Sequence, residues 1–250
     1  MREINKVLLF REDISPFLVH LTRETTYAGD PRSAQANLLN ILVYKKLEPG
    51  ECLSDARNGY NYRRLTPEQQ KEFFNAICFT ETPISEIHCL LEIDQRQINL
   101  APYGIVFLKE NLRDMDVSPA IYINNYNGNN DDIFHELCLI IEHNPDIARK
   151  LLPLISVFGK KIIQPGYLER INEATVDFLW EREWRRPRFF GAMEFDPGDV
   201  FVGLCPHEEI DLFESRIPWL KFIDPRRNMK WYSEKLIEAR QKLDLKHSVV

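Results

Sequence analysis

The sequence lacks the short motifs that announce the commonest nucleotide and hydrolase chemistries. It contains no GxxxxGKS or GxxxxGKT, no GxGxxG, no GxSxG and no HExxH. The first two absences disfavour a P-loop and a dinucleotide-binding βαβ unit, whose phosphate cradles need glycines at those spacings. The third removes the nucleophile elbow of the α/β hydrolases, and the fourth the helical zinc pair of metalloproteases. Cysteine is scarce: Cys52, Cys78, Cys89, Cys138 and Cys205 are odd in number and widely spaced, with no CxxC. Such spacing argues for thiols in a reducing compartment rather than a disulfide framework or a zinc ribbon. The apolar run Val7 to Phe10 is far too short for a signal peptide or a membrane span. There is no lipidation motif, and no repeat of 20–50 residues. The expected location is the cytoplasm, with no membrane partner.

What is present is an ordinary globular composition: 250 residues, 44% hydrophobic, net charge -6. The length fits a single domain over 1–250, with a motif-bearing core over about 13–205 and a helical extension over about 206–250. The acidic balance argues against a general nucleic-acid sponge. It leaves room for local basic clusters, Arg182, Arg185, Arg186 and Arg188, and Arg226, Arg227 and Lys230.

Strands are predicted over 13–22, 76–80, 104–108, 119–124 and 200–204 from their apolar and β-branched runs. Helices are predicted over 34–47 (capped by Ser33, stopped by Pro49-Gly50), from Thr66-Pro67-Glu68 to about Asn75, and from Asp131 to about His143. Further helices are expected from Ile147 to about Phe158, over 208–214 and over 233–243, and a helix or irregular segment over 85–91. Lys161–Ile163 reads as a short strand and 167–179 as a helix or connection. Loops are expected at 23–33, 50–64 and 124–130, and a frayed tail at 246–250. The order is mixed rather than alternating. The fold class is therefore α+β, a small, mostly antiparallel sheet core flanked by helices.

The densest chemistry is Trp180-Glu181-Arg182-Glu183-Trp184-Arg185-Arg186-Pro187-Arg188, which gathers two carboxylates, two indoles and four guanidinia in nine residues. Pro187 favours an extended Arg186, so the stretch is expected to be a strand. Glu181, Glu183 and Arg185 then share one face. Two carboxylates beside an Arg suit a site where one binds a hydroxyl and the other stabilises developing positive charge. They equally suit an ion-pair-rich edge, or a protein-binding surface built on the indoles and guanidinia. His20 and Thr22, two apart at a strand's end, offer a ring nitrogen and a hydroxyl to a ligand or to the backbone. Tyr60 and Tyr62 could stack on a base or a nicotinamide ring. On one helix, His135 pairs by face with Glu142 and Glu136 with His143. Without a third ligand they make no metal site, and none is expected; a solvent-facing charged helix accounts for them.

Four blocks taken together carry a resemblance. They are Val19-His20-Leu21-Thr22 with Asn37-Leu38-Leu39-Asn40-Ile41-Leu42; Ala76-Ile77-Cys78-Phe79-Thr80-Glu81-Thr82-Pro83-Ile84; Tyr103-Gly104-Ile105-Val106-Phe107; and Glu181-Arg182-Glu183-Trp184-Arg185. In this order they resemble the AbiGi-type abortive-infection family of bacterial phage defence. The opening block also resembles the DarT-like DNA ADP-ribosyltransferases. The likeness covers about residues 17–190. It implies an ADP-ribosyltransferase-like split sheet gripping NAD as a substrate, with transfer of ADP-ribose to nucleic acid or protein. His20 and Thr22 would be first-strand contacts to NAD and Thr80 the second-strand hydroxyl. Glu183 would be the catalytic acid, supported by Glu181, and Arg23 or Arg57 would supply a guanidinium. The same likeness admits a non-enzymatic antitoxin or regulatory partner of a cognate toxin, which the acidic charge would suit.

Overall fold

The computed structural model describes residues 15–27, 30–52, 64–92, 100–124, 131–158 and 178–245. The expected loop tyrosines Tyr60 and Tyr62, Arg57, the short strand at Lys161–Ile163, most of 167–179 and the tail 246–250 lie outside them. The protein is mixed α and β. Its strands are β1 (Phe17–Leu21), β2 (Thr25–Tyr27), β3 (Asp30–Arg32), β4 (Lys46–Leu47), β5 (Gly50–Glu51), β6 (Asn75–Thr80) and β7 (Gly104–Leu108). They continue as β8 (Ser118–Pro119), β9 (Ile121–Asn124), β10 (Ile155–Phe158), β11 (Glu183–Pro187), β12 (Met193–Glu194), β13 (Val200–Leu204) and β14 (Phe222–Ile223). The chain forms two compact units: Met1–Leu47, Phe79–Met115 and Met193–Val250 make the first, and Glu48–Cys78 and Asp116–Ala192 the second.

In the first unit the strands lie in the order β14-β13-β7-β1, and Thr80 at the end of β6 pairs with Val19 of β1. All neighbours are antiparallel except β13 and β14, which are parallel and joined through the helix Ile210–Arg216. The strands are nearly continuous apolar runs because both faces are covered. Phe17, Leu18, Val19, Ile105, Val106, Phe107 and Val200 to Leu204 are all buried. The ladder of β13 on β7 slips between Val200 and Val202, and Phe201 stacks on Phe17 at 4.3 Å between ring centroids. The segment expected as a helical extension contributes an edge strand, β14, and two helices, Ile210–Arg216 and Ser233–Lys242.

The helix predicted over 34–47 is Ala34–Tyr44. Ser33 caps it by accepting from the Ala36 N–H, and Leu38 and Leu42 are buried. It ends earlier than the Pro49-Gly50 signal because Lys45 turns left-handed at φ 50°, after which Lys46 and Leu47 pair with β12.

The second unit packs Phe73, Phe74, Ala148, Leu152 and Ile155 into one apolar cluster. Phe73 and Phe74 end the helix Pro67–Phe74, which opens with a reciprocal capping box between Thr66 and Gln69 and Pro67 in the first turn. The helix expected from Ile147 to Phe158 divides instead. Asn144 caps Pro145–Leu151, a 3-10 turn covers Leu152–Leu154, and Ile155–Phe158 is a strand parallel to β9. Pro153 explains the break, since it has no N–H to continue the helix, and β-branched residues follow it. The strand predicted over 119–124 also divides: β8 pairs with β11 and β9 with β10, with Ala120 between them.

Gly203 sits where a Cβ would lie 2.2 Å from Cε1 of the fully buried Phe222 ring. Gly203→Ala should therefore destabilise the fold by about 1–3 kcal/mol through overpacking. Urea unfolding followed by tryptophan fluorescence would measure this, and an unchanged midpoint would contradict the packing described.

Candidate active site

The stretch 180–188 is only partly the strand expected. Phe178–Glu181 form a 3-10 turn, closed by the Arg182 N–H donating to the Leu179 carbonyl at 3.2 Å. Arg182 has φ 44°, in the left-handed region. The strand begins at Glu183, so Glu181 does not join the face shared by Glu183 and Arg185. No local rule signalled the turn, because Arg is not a residue that favours positive φ.

Arg185 is the centre of what remains. It is 2% exposed, yet it carries a full charge. Nη1 donates to the carbonyls of Pro153 (2.8 Å) and Ile155 (3.0 Å), and Nη2 donates to Oε2 of Glu183 at 2.5 Å. Nε has no hydrogen-bond partner among the described residues. Burial alone would lower the guanidinium pKa. The Glu183 carboxylate outweighs burial and raises it. The Glu183 N–H donates to the phenol oxygen of Tyr122 at 2.6 Å, so both ends of this residue are held. The Glu183 side chain is 23% exposed, enough for a ligand to reach it.

The remaining expected residues lie in the other unit. Val19 pairs with Thr80, so these two point to one face of the sheet. His20 lies on the opposite face, with its ring 5.7 Å from that of Phe79. Thr22 is buried: its hydroxyl donates to the Ala34 carbonyl at 2.9 Å and reaches the Tyr103 carbonyl at 3.3 Å. Thr80 is buried too, with its hydroxyl 2.7 Å from that of Thr82. Arg23 is half-buried, and its carbonyl accepts from the Asn37 side chain at 2.7 Å. His20, Thr22, Arg23 and Thr80 thus belong to the first unit, and Glu181 and Glu183 to the second.

The buried state of Trp184 weakens the reading of the 180–188 stretch as a protein-binding surface. Trp184, Arg185 and Arg186 are buried, and Arg186 donates to the carbonyls of Gly191 and Phe190. In the second cluster, Arg226 is taken up by the buried Asp224, and Arg227 lies over the exposed Trp231 ring at 5.4 Å. On the helix Asp131–His143, His135, Glu136, Glu142 and His143 are all exposed.

Two polar groupings escaped the sequence reading. Lys109, itself buried, donates to Glu81 at 2.8 Å and to the Ser15 carbonyl. Tyr103 donates to Glu209 at 2.9 Å, and Gln35 donates to the other oxygen of the same carboxylate at 2.8 Å. Each joins residues far apart in sequence, so no local spacing could reveal it. The thiols of Cys78 and Cys205 are pushed well above the ordinary range, the first by a hydrogen bond with Cys52 and then by burial, the second chiefly by burial. Neither is an activated nucleophile.

Comparison of the chain with family models, with curated proteins and with solved structures finds no match. Fold and site therefore define a class only: a mixed α/β protein in which a buried arginine braces a strand-borne carboxylate. Among the described residues no helix is long and apolar enough to cross a membrane.

Arg185→Ala should destabilise the protein by about 3 kcal/mol or more, because it strands Glu183 and two carbonyls; chemical denaturation would report the loss. Burial, followed by the Glu183 and Glu181 carboxylates, pushes the Tyr122 phenol up to about 12. A raised acid stays protonated in the folded state after the unfolded chain has lost its proton. Stability from Tyr122 is thus complete below about pH 10 and lost as pH rises towards 12. Unfolding midpoints across that window should fall less steeply in Tyr122→Phe than in the wild type; parallel curves would exclude this coupling.

Proposed function

We propose that this chain is an NAD-dependent ADP-ribosyltransferase-like protein of bacterial phage defence or of a toxin–antitoxin system. It would use NAD as a substrate and transfer ADP-ribose to nucleic acid or protein, on an ADP-ribosyltransferase-like split sheet. The observation that supports the reading is Glu183. A partly exposed carboxylate opens a strand, with one oxygen bound by a buried guanidinium and its backbone N–H bound by a phenol. Cleaving the nicotinamide–ribose bond develops positive charge on the sugar. A carboxylate fixed beforehand stabilises that charge without reorganising, as in glycosidases. In this reading Glu183 is the catalytic carboxylate and Glu181 an auxiliary one, while His20, Thr22, Arg23 and Thr80 are the contacts to NAD.

A second reading, a non-enzymatic antitoxin or regulatory partner, is favoured by a different observation. The hydroxyls of Thr22 and Thr80 are buried in bonds to the protein's own groups, and Oε2 of Glu183 is engaged by Arg185. Residues spent on internal bonds suit a binding scaffold.

Purified protein is to be incubated with labelled NAD and with single-stranded DNA, RNA or cell lysate, wild type beside Glu183→Gln. Gln keeps a carbonyl oxygen for Arg185 and removes the charge, so a folded variant is expected, checked by circular dichroism. Label transfer by the wild type should fall by about 100-fold or more in the variant, as for the loss of a transition-state charge contact. Equal transfer by both would sink the assignment of Glu183. No transfer to any acceptor would favour the partner reading.

A further inference from the structure

We propose that Glu86, His88 and Cys89 form a binding site for a thiophilic divalent cation, best suited to zinc. Glu86 closes the 3-10 turn Ile84–Glu86, and His88 and Cys89 stand in the helix Ile87–Leu91 that follows directly. Their ligand atoms lie within 4.8 Å of one another. Sγ of Cys89 is 3.5 Å from Nε2 of His88 and 3.8 Å from Oε2 of Glu86. A tetrahedral zinc, with bonds of about 2.3 Å to sulfur and about 2.0–2.2 Å to nitrogen or oxygen, sets such neighbours about 3.5 Å apart. The Cys89 sulfur is already at nearly that spacing from both other donors, and all three lie within 4.8 Å of one another, so the ion draws them together through side-chain adjustment.

A second observation points the same way. Nδ1 of His88 lies 2.9 Å from the Ser85 carbonyl. A carbonyl can only accept, so Nδ1 carries the proton and Nε2 presents its lone pair towards Cys89. That is the tautomer a metal-bound imidazole takes, with its far nitrogen held by a backbone carbonyl. The exposure suits exchange with solvent: Glu86 is exposed, and His88 and Cys89 are half-buried. Thiolate, imidazole and carboxylate together favour zinc over the hard cations magnesium and calcium, which take oxygen ligands. On binding, the metal–sulfur bond replaces the S–H bond, the thiol proton leaves to solvent, and no electron changes hands. Three protein ligands leave the fourth position to water. The site uses none of the residues of the transferase reading, and it stands or falls independently of it.

The test uses the full chain, stripped with a chelator, kept reduced and titrated with cobalt(II) as a spectroscopic probe, followed by zinc. One equivalent should produce a thiolate-to-cobalt charge-transfer band with tetrahedral ligand-field bands, and zinc should displace both. Cys89→Ser should abolish the charge-transfer band. His88→Gln and Glu86→Gln should each weaken binding by about tenfold or more, as expected for removing one of three ligands, while keeping the band. Cys52→Ser should leave the titration unchanged. Circular dichroism of the metal-free variants confirms folding. Should Cys89→Ser not fold, the exposed Glu86→Gln variant and His88→Gln carry the decision. The site is overturned by the absence of a charge-transfer band in the wild type, by its persistence in folded Cys89→Ser, or by full affinity in both Glu86→Gln and His88→Gln.

Discussion

A guanidinium removed from water must find acceptors for its protons, and much of the second unit is arranged to supply them. Arg185 is among the largest fully buried side chains of the protein. The desolvation of such a cation costs several kcal/mol and is offset only by well-placed oxygens. Two of these are the carbonyls of Pro153 and Ile155. They occur where the backbone leaves helical geometry, so their oxygens are not used by a helix ladder. The third is Glu183, two residues away on the same face of the strand. The break at Pro153, the strand from Ile155 and the strand from Glu183 therefore answer one electrostatic demand. The carboxylate that the proposed chemistry needs is also the counter-ion that the fold needs. The two roles are compatible, because a carboxylate has two oxygens and this side chain is not fully buried.

The first unit rests on different physics. Its central strands are covered on both faces and bury aliphatic and aromatic side chains with little polar content. Of the polar groups that it does bury, Lys109 pairs with Glu81, 28 residues away, and Asp224 holds Arg226 two residues on; the half-buried Tyr103 pairs with the distant Glu209. Buried polar groups that satisfy one another hold the ends of strands in register. The backbone approach is also tight. A side chain at Gly104 would strike the His20 carbonyl, and one at Gly203 the Phe222 ring. Glycine is required at both by proximity rather than by φ.

Much of the local structure was legible in the residues. Ser33 and Thr66-Pro67 mark helix starts because their side chains and ring act within a turn of where they stand. The apolar runs at 104–108 and 200–204 read as strands from their β-branched content, and they are buried strands. The candidate carboxylate Glu183 was legible from its company of arginines and indoles, although the exposed or buried state of that company was not. Trp184 and two of the four arginines turned inward. A cation is ordinarily read as solvent-facing, and only a set of distant carbonyls makes the inward position tenable.

The sequence by itself determined the helix caps, the buried strands, the mixed class and the absence of the common nucleotide-binding loops, because each of these is settled within a few residues by sterics, hydrogen bonding and hydrophobic pattern. Only the tertiary structure decided which face each strand offers, that Glu181 turns away at the left-handed Arg182, that Thr22 and Thr80 spend their hydroxyls internally, and that Arg185 sits in the core. Those outcomes depend on partners dozens of residues away, and the free energy of a buried polar group is fixed by its partners rather than by its neighbours in the chain.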